Sequence, residues 1–238
     1  MLFSIGKSGN MKLLSVVFLM FIGLSAFNCS SQSNNNNGQS NQSNYIIPPD
    51  KMAEDTNVTL DTVTLGAGCF WCVEAIFQNL NGVYSVESGY SGGTVEDPSY
   101  ELVCTGTTGH AEVAKITFDP KVLSLERLLN VFFRTHDPTT KDRQGADVGT
   151  QYRSAIFYNN EAQKETAEKV KAEVEAAGVW SDPIVTEITP LTNYYRAENY
   201  HQDYYNNNSS KGYCSTVIYP KIQKFFKEFP DLVKEEKN

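Results

Sequence analysis

"GAGCFWCVEAIF", Gly66–Phe77, sets two cysteines three positions apart, with two large aromatics between them. Before it, "TLDTVTLG" (Thr59–Gly66) alternates polar and apolar residues and reads as a strand. From Cys69 to Leu80 the apolar residues recur at helical spacing, and Asn81-Gly82 is a stop signal. The stretch is therefore strand, glycine turn and helix, with a thiol at the helix mouth. Redox, metal-binding and accidental pairs all share C-x-x-C. Cys69 and Cys72 are thus either a dithiol redox pair, or one of them is a nucleophile in an aromatic pocket.

Outward from this stretch, Val83–Tyr90 is a second strand and the turn-rich "SGGTVEDPSY" follows it. Ala111–Phe118 is a third strand, stopped by Asp119-Pro120. "SLERLLNVFFRTHDP" is a helix capped by Ser124. Ser154–Tyr158 is a fourth strand, Asn160–Ala177 a helix ended by Gly178, and Pro183–Ile188 a further strand. The last fifty residues read as mostly irregular, with a short helix over Ile222–Glu228. The order β-α-β-β-α-β predicts an α+β, two-layer, ferredoxin-like (split βαβ) sandwich with a long irregular C-terminal segment. So long a coil makes sense if it wraps the sheet and carries something to the site.

The chain has 238 residues and a net charge of −8. From Met11, one lysine and an apolar run to Phe27 precede Cys29, which fits a secretory signal over residues 1–28 better than a membrane span. Ala26 and Asn28 before Cys29 form a loose version of the bacterial lipoprotein box, so Cys29 is the expected lipidation site. "SSQSNNNNGQSNQSN" (Ser30–Asn44) has no apolar or charged residue and cannot offset its chain entropy by burial. Residues 29–57 are therefore read as a lipidated cysteine and flexible tether, reaching roughly 30 Å as a coil, and residues 58–238 as one catalytic domain. An exported lipoprotein facing the periplasm or cell exterior, monomeric, is the expectation. Removing residues 1–28 takes away Lys7 and Lys12 and no acid, which moves the charge from −8 to −10. No basic run exists, and the sign is wrong for nucleic acid.

Cys69 follows Gly66-Ala67-Gly68 and opens a helix, an environment expected to lower its pKa and give a thiolate near neutral pH. With only three histidines and no second cysteine pair, zinc is not expected, and neither is any other cofactor. Period-2 alternation puts Glu112 on the face of Ala114, Ile116 and Phe118, where desolvation makes a carboxyl a proton donor unless a cation pairs with it. "DVGTQYRSAIFY" offers Asp147, Tyr152 and Arg153, and "EDPSYE" offers Tyr100. Any one of thirteen tyrosines is more often packing than chemistry. Cys214, behind a glycine in "KGYC", is a thiol able to swing toward Cys69. Cys104 has no such setting and reads as a buried bystander.

Taken together, "GCFWCVEA", "SGYSGG", "TGTTGHAE", "HDP", "GTQYRSAI" and "GYC" come in the order and spacing of the A-type peptide methionine sulfoxide reductases. The resemblance spans nearly all of Asp61–Tyr219. It implies reduction of the S epimer of methionine sulfoxide, free or in proteins, as repair after oxidative stress. By motif match Cys69 resembles the nucleophile, and Phe70 and Trp71 the wall that holds the S-methyl group. Glu112 resembles the acid that protonates the sulfoxide oxygen. Tyr100 and Tyr152 resemble phenols that hydrogen-bond it, with Asp147 in support. The implied product is a Cys69 sulfenic acid, condensed by a second thiol to a disulfide that thioredoxin or an exported thioredoxin-like donor clears. Cys214 matches the usual resolving position. Cys72, where many members have glycine, competes with it. Two other readings remain: a thioredoxin-like dithiol oxidoreductase built on Cys69–Cys72, and a non-catalytic lipoprotein with an aromatic ligand pocket.

Overall fold

The computed structural model describes residues 58–235. The expected signal segment, the expected lipidation site Cys29 and the expected tether lie outside the described residues. The elements run β1 (Asp61–Ala67), α1 (Phe70–Phe77), β2 (Val83–Ser91), α2 (Tyr100–Cys104), β3 (Ala111–Phe118) and α3 (Leu125–Thr135). After a small hairpin of β4 (Arg143–Gln144) and β5 (Asp147–Val148) come β6 (Ser154–Tyr158), α4 (Glu161–Ala176), β7 (Glu187–Pro190) and β8 (Tyr195–Arg196). The C-terminal part holds α5 (Tyr204–Asn208) and a π-helical turn, Cys214–Ile218, that runs straight into α6 (Tyr219–Glu228).

One sheet has the strand order β7-β6-β1-β3-β2-β8. Its neighbours are antiparallel apart from the parallel pair β6–β7. Alternation gives each strand two faces. Val63 and Leu65 of β1, Ala114, Ile116 and Phe118 of β3, and Ile156 of β6 face a core shared with α1, α3, α4 and α6. The class is therefore α+β, as the sequence predicts. On the opposite face Ala111, Val113, Ala155 and Phe157 are covered by Leu191 and Tyr194 from the chain after β7.

Local signals set the helices. Ser124 caps α3 by accepting the Arg127 N–H at 3.3 Å. Leu128, Leu129, Val131, Phe132 and Phe133 of that helix are buried, each contributing roughly 1.5–3 kcal/mol. Asn160 caps α4 by accepting the Gln163 N–H at 3.0 Å. α4 buries Ala167, Val170 and Val174 and turns its Glu and Lys outward.

The C-terminal segment departs from its expected irregularity. Alternation over so short a stretch does not announce β8, yet Tyr195 and Arg196 pair with Tyr90 and Gly89 at the β2 edge. Beyond it, α5, the π turn and α6 pack against α1, and the Asn81 N–H donates to the Leu232 carbonyl at 2.7 Å. The segment wraps back onto the helix that carries Cys69.

Candidate active site

The site sits at the end of the sheet where β1 finishes and β3 and β6 begin: Ala67 pairs with Ser154, and Tyr90 with Glu112. The turn into α1 depends on Gly68, which has φ +85°. A Cβ there would lie 2.5 Å from the Gln144 side chain. Gln144 is itself fixed, accepting the Asp137 N–H at 3.1 Å and donating to the Asp137 carbonyl at 3.0 Å.

Cys69 is the N-cap residue of α1, and its own side chain caps nothing. Glu112 does so instead: its Oε2 accepts the Phe70 N–H at 3.1 Å. Acid and thiol therefore share one helix terminus. Burial pushes the Glu112 carboxyl up to about 8 against the lowering effect of that N–H, with the charges of Asp147 and Cys72 adding to the rise.

The expected low-pKa thiolate at Cys69 needs correction. The side chain is only 7% exposed. Burial, with Cys72 and Glu112 close by, pushes the Cys69 thiol well above its usual range, and Tyr213 opposes that rise. Its hydrogen bond to Cys69, assisted by Lys221, brings Cys72 down to about 7. The two thiols thus titrate as a pair: one proton leaves near neutrality and the second far above it. Desolvation outweighs the helix terminus for a lone Cys69.

Tyr100 opens α2, where Ser99 caps by accepting the Leu102 N–H. Burial and then the Glu112 charge raise the pKa of both Tyr100 and Tyr152, so both phenols stay protonated beside the acid. Asp147 accepts the Tyr213 hydroxyl at 2.9 Å. Tyr213, raised by burial and by Cys69 and Cys72, links Asp147 to the cysteine pair. Tyr213 stands next to Cys214 in "GYC", but no local spacing marks it out among thirteen tyrosines.

The wall of the slot is aromatic. Phe70 lies 6.3 Å from Tyr100, near-parallel at 18°, and 5.0 Å from His201. Trp71 stacks on Tyr204 at 3.7 Å and 6°. The Trp71 indole N–H donates to His201 Nδ1 at 3.1 Å, and burial lowers the His201 pKa, keeping it an acceptor there. Glu74, two residues after Cys72, accepts the N–H groups of Asp203 and Tyr204 at 2.8 and 3.2 Å and so pins Tyr204 over Trp71. His201, Tyr204 and Glu74 carried no local signal, because their partners lie 129 or 130 positions away.

Cys214 is fully buried at the head of the π turn; burial raises its pKa, and so does the charge of Cys72. Cys104, expected to be buried, is exposed at the end of α2, because only Val103 of that short helix turns inward. His110 and His136 serve the fold. His110 accepts the Gly93 N–H at 3.1 Å, and His136 lies 2.7 Å from the Ser154 hydroxyl.

Two thiols placed to pass between dithiol and disulfide, with an acid that keeps its proton beside them, are what a thiol-dependent oxidoreductase requires, and this α+β fold brings them to one sheet end. Residues 61–232 match the family model described as peptide methionine sulfoxide reductase. A peptide methionine sulfoxide reductase of Trichodesmium erythraeum is 52% identical over 174 residues, which are 73% of this chain and 98% of that protein. One of Saccharolobus solfataricus is 53% identical over 175 residues, covering 74% and 98%. Among solved structures, reduced Mxr1 from Saccharomyces cerevisiae matches with a TM-score of 0.62 at 35% identity, over 67% of this chain and 94% of that one. Methionine sulfoxide reductase A of Corynebacterium diphtheriae matches with 0.58 at 36%, over 66% and 78%. The chain belongs to the peptide methionine sulfoxide reductase family.

Proposed function

We propose that this protein reduces methionine S-sulfoxide, free or within polypeptides, to methionine, with Cys69 as the nucleophile. A sulfoxide sulfur is a poor electrophile until its oxygen is protonated or strongly hydrogen-bonded. The single observation that carries the reading is Glu112, held on the Phe70 N–H beside Cys69 and mostly protonated at neutral pH. In this mechanism Tyr100 and Tyr152 donate to the oxygen and Glu112 gives its proton. The coupled thiols supply the thiolate through Cys69. Phe70 and Trp71 enclose the S-methyl group, a discrimination worth about 1–3 kcal/mol. Asp147 acts through Tyr213. Oxygen passes to Cys69, leaving a sulfenic acid and the thioether. A second thiol then attacks the sulfenic sulfur, water leaves, and a thioredoxin-like dithiol reduces the resulting disulfide.

Purified protein with dithiothreitol should convert the S but not the R epimer of a methionine sulfoxide substrate, and lose that activity in Cys69→Ser. Equal rates on both epimers, or turnover without Cys69, would overturn the assignment. The Cys69–Cys72 dithiol reading predicts instead disulfide exchange that needs no sulfoxide.

We read β6-β1-β3-β2 with α1 and α3 as the split βαβ core. Its support is the strand order and the alternating strand direction. We further propose export through residues 1–28, lipid attachment at Cys29, a monomeric domain on a tether and an exported reductant. The support here is the sequence from Met11 to Cys29. Cys29→Ala should release the protein from the membrane fraction.

A further inference from the structure

A narrow cleft behind the catalytic helix bears on which thiol resolves the Cys69 sulfenic acid. Cys72, Ile76, Thr135, His136 and Lys221 line it. Lys221 is the third residue of α6, half-buried, and lines the cleft together with Cys72, whose thiol its charge lowers. Among the described residues no carboxylate pairs with Lys221, whereas Lys224 of the same helix reaches Glu228 at 3.8 Å. His136, which also lines the cleft, supplies no charge: its Nδ1 bonds the Phe132 carbonyl at 2.6 Å, and burial lowers its pKa to about 4. Lys221 is therefore the cation of the cleft that the Cys72 thiol also lines.

The two candidate thiols differ in what they must do to reach Cys69. Cys72 lies one helical turn on, and its N–H donates to the Cys69 carbonyl at 3.0 Å. Residues so spaced have Cβ atoms about 5–6 Å apart, and a disulfide needs about 3.5–4.5 Å. A small shift of the N-cap residue closes that gap. Cys214, fully buried, opens a π turn that continues into α6, so bringing it out displaces the helix that carries Lys221. A π turn at a thiol fits the habit of such turns to mark functional positions.

We propose that Cys72 is the thiol that resolves the Cys69 sulfenic acid, and that Lys221 holds it as a thiolate for that step. This rests on the reading of Cys69 as nucleophile. The Cys72 sulfur attacks the Cys69 sulfur, the S–S bond forms and the S–O bond breaks. Oxygen leaves as hydroxide and takes up a proton to become water. The oxidising equivalents come from the sulfoxide, so no other oxidant is needed. The groups facing Cys72 are Cys69 of its own helix, Tyr213, Lys221 and His136, with Glu112 and Cys214 near enough for charge coupling.

The test is one turnover of the full chain, kept in detergent, with a methionine sulfoxide substrate and no reductant, quenched with an alkylating agent and mapped by mass. Release of one methionine per protein reports the first step, so its absence counts against the functional reading and not against this one. The expected product is a Cys69–Cys72 disulfide with Cys214 alkylated. A later Cys72–Cys214 disulfide supports the proposal when Cys69–Cys72 precedes it in the time course, and counts against it when Cys69–Cys214 does. Cys72→Ser should accumulate a dimedone-reactive Cys69. Lys221→Met should slow decay of the sulfenic acid about tenfold at pH 7, with Lys221→Arg retaining most of the rate. As a check independent of any variant, iodoacetamide should alkylate wild-type Cys72 with a midpoint near pH 7. A Cys69–Cys214 disulfide as first product, equal sulfenic decay in Lys221→Met, or a Cys72 midpoint above pH 9 would each overturn the proposal.

Discussion

The Glu112 carboxyl closes the helix that Cys69 opens: its Oε2 accepts the Phe70 N–H at 3.1 Å, although the two residues lie 42 positions apart. A strand from the middle of the sheet thereby delivers a buried acid to the helix mouth where the thiol sits. Had the two lain on opposite sides of the molecule, no common slot for a sulfoxide would exist.

Glu112→Gln keeps an acceptor for the Phe70 N–H but has no proton of the right acidity to give. Methionine formation should fall about 10²–10⁴-fold, the usual worth of a general acid. Substrate binding should change little. A loss under threefold in kcat/KM would remove Glu112 from the chemistry.

The pH profile follows from the thiol pair and the acid. Activity should rise as the pair loses its first proton near 7, and fall as Glu112 loses its proton near 8. The window is narrow because the two groups titrate close together. Glu112→Gln should abolish the alkaline fall in whatever activity remains.

Stability should move with the same carboxyl. Its folded pKa, about 8, lies above the ordinary value of 4.5, so its contribution is full below about 4.5 and is lost as pH rises through 8. Glu112→Gln should therefore raise Tm at pH 9, by about 2–4 °C for each kcal/mol of ionisation cost removed, and give no such gain at pH 4. An equal gain at both pH values would mean that packing, not charge, is responsible. Glu74, raised to about 7, carries the same sign.

Tyr213→Phe removes the hydroxyl that joins Asp147 to the cysteine pair. Leaving Asp147 without that donor costs roughly 1–3 kcal/mol. A fall in kcat of about tenfold is expected, and Asp147→Asn, which keeps an acceptor for the hydroxyl, should lose less. Unchanged kinetics in both variants would make the pair purely structural.

His201→Leu takes away the acceptor of the Trp71 indole N–H. The ring should lose its fixed tilt, with KM for the sulfoxide rising several-fold more than kcat falls. The tryptophan emission should shift at the same time. A kcat effect alone would place His201 in proton transfer instead.

Much of this was legible along the chain. The strand–glycine–helix reading of Gly66–Phe77, the Ser124 cap and the position of Glu112 on the inward face of β3 all follow from signals within a few residues. Less legible was the C-terminal segment. Its order comes from partners far away: Gly89 and Tyr90 for β8, and the Glu74 carboxylate for the N–H groups of Asp203 and Tyr204. Local spacing carries no record of such bonds. The ionisation of Cys69 departs from its local expectation for a related reason, since the helix terminus is a local feature and the burial opposing it is not.

By itself the sequence determined the elements, the thiol at the helix start, the inward carboxyl and the family's motifs in register, because periodicity, capping and turn chemistry act over a few residues. Only the tertiary structure decided that Tyr213, His201 and Tyr204 complete the slot and that two thiols share one titration. It alone set Lys221 and Cys72 along one cleft. Desolvation and long-range hydrogen bonds depend on what the folded chain brings alongside, and that is fixed by packing rather than by neighbours in the chain.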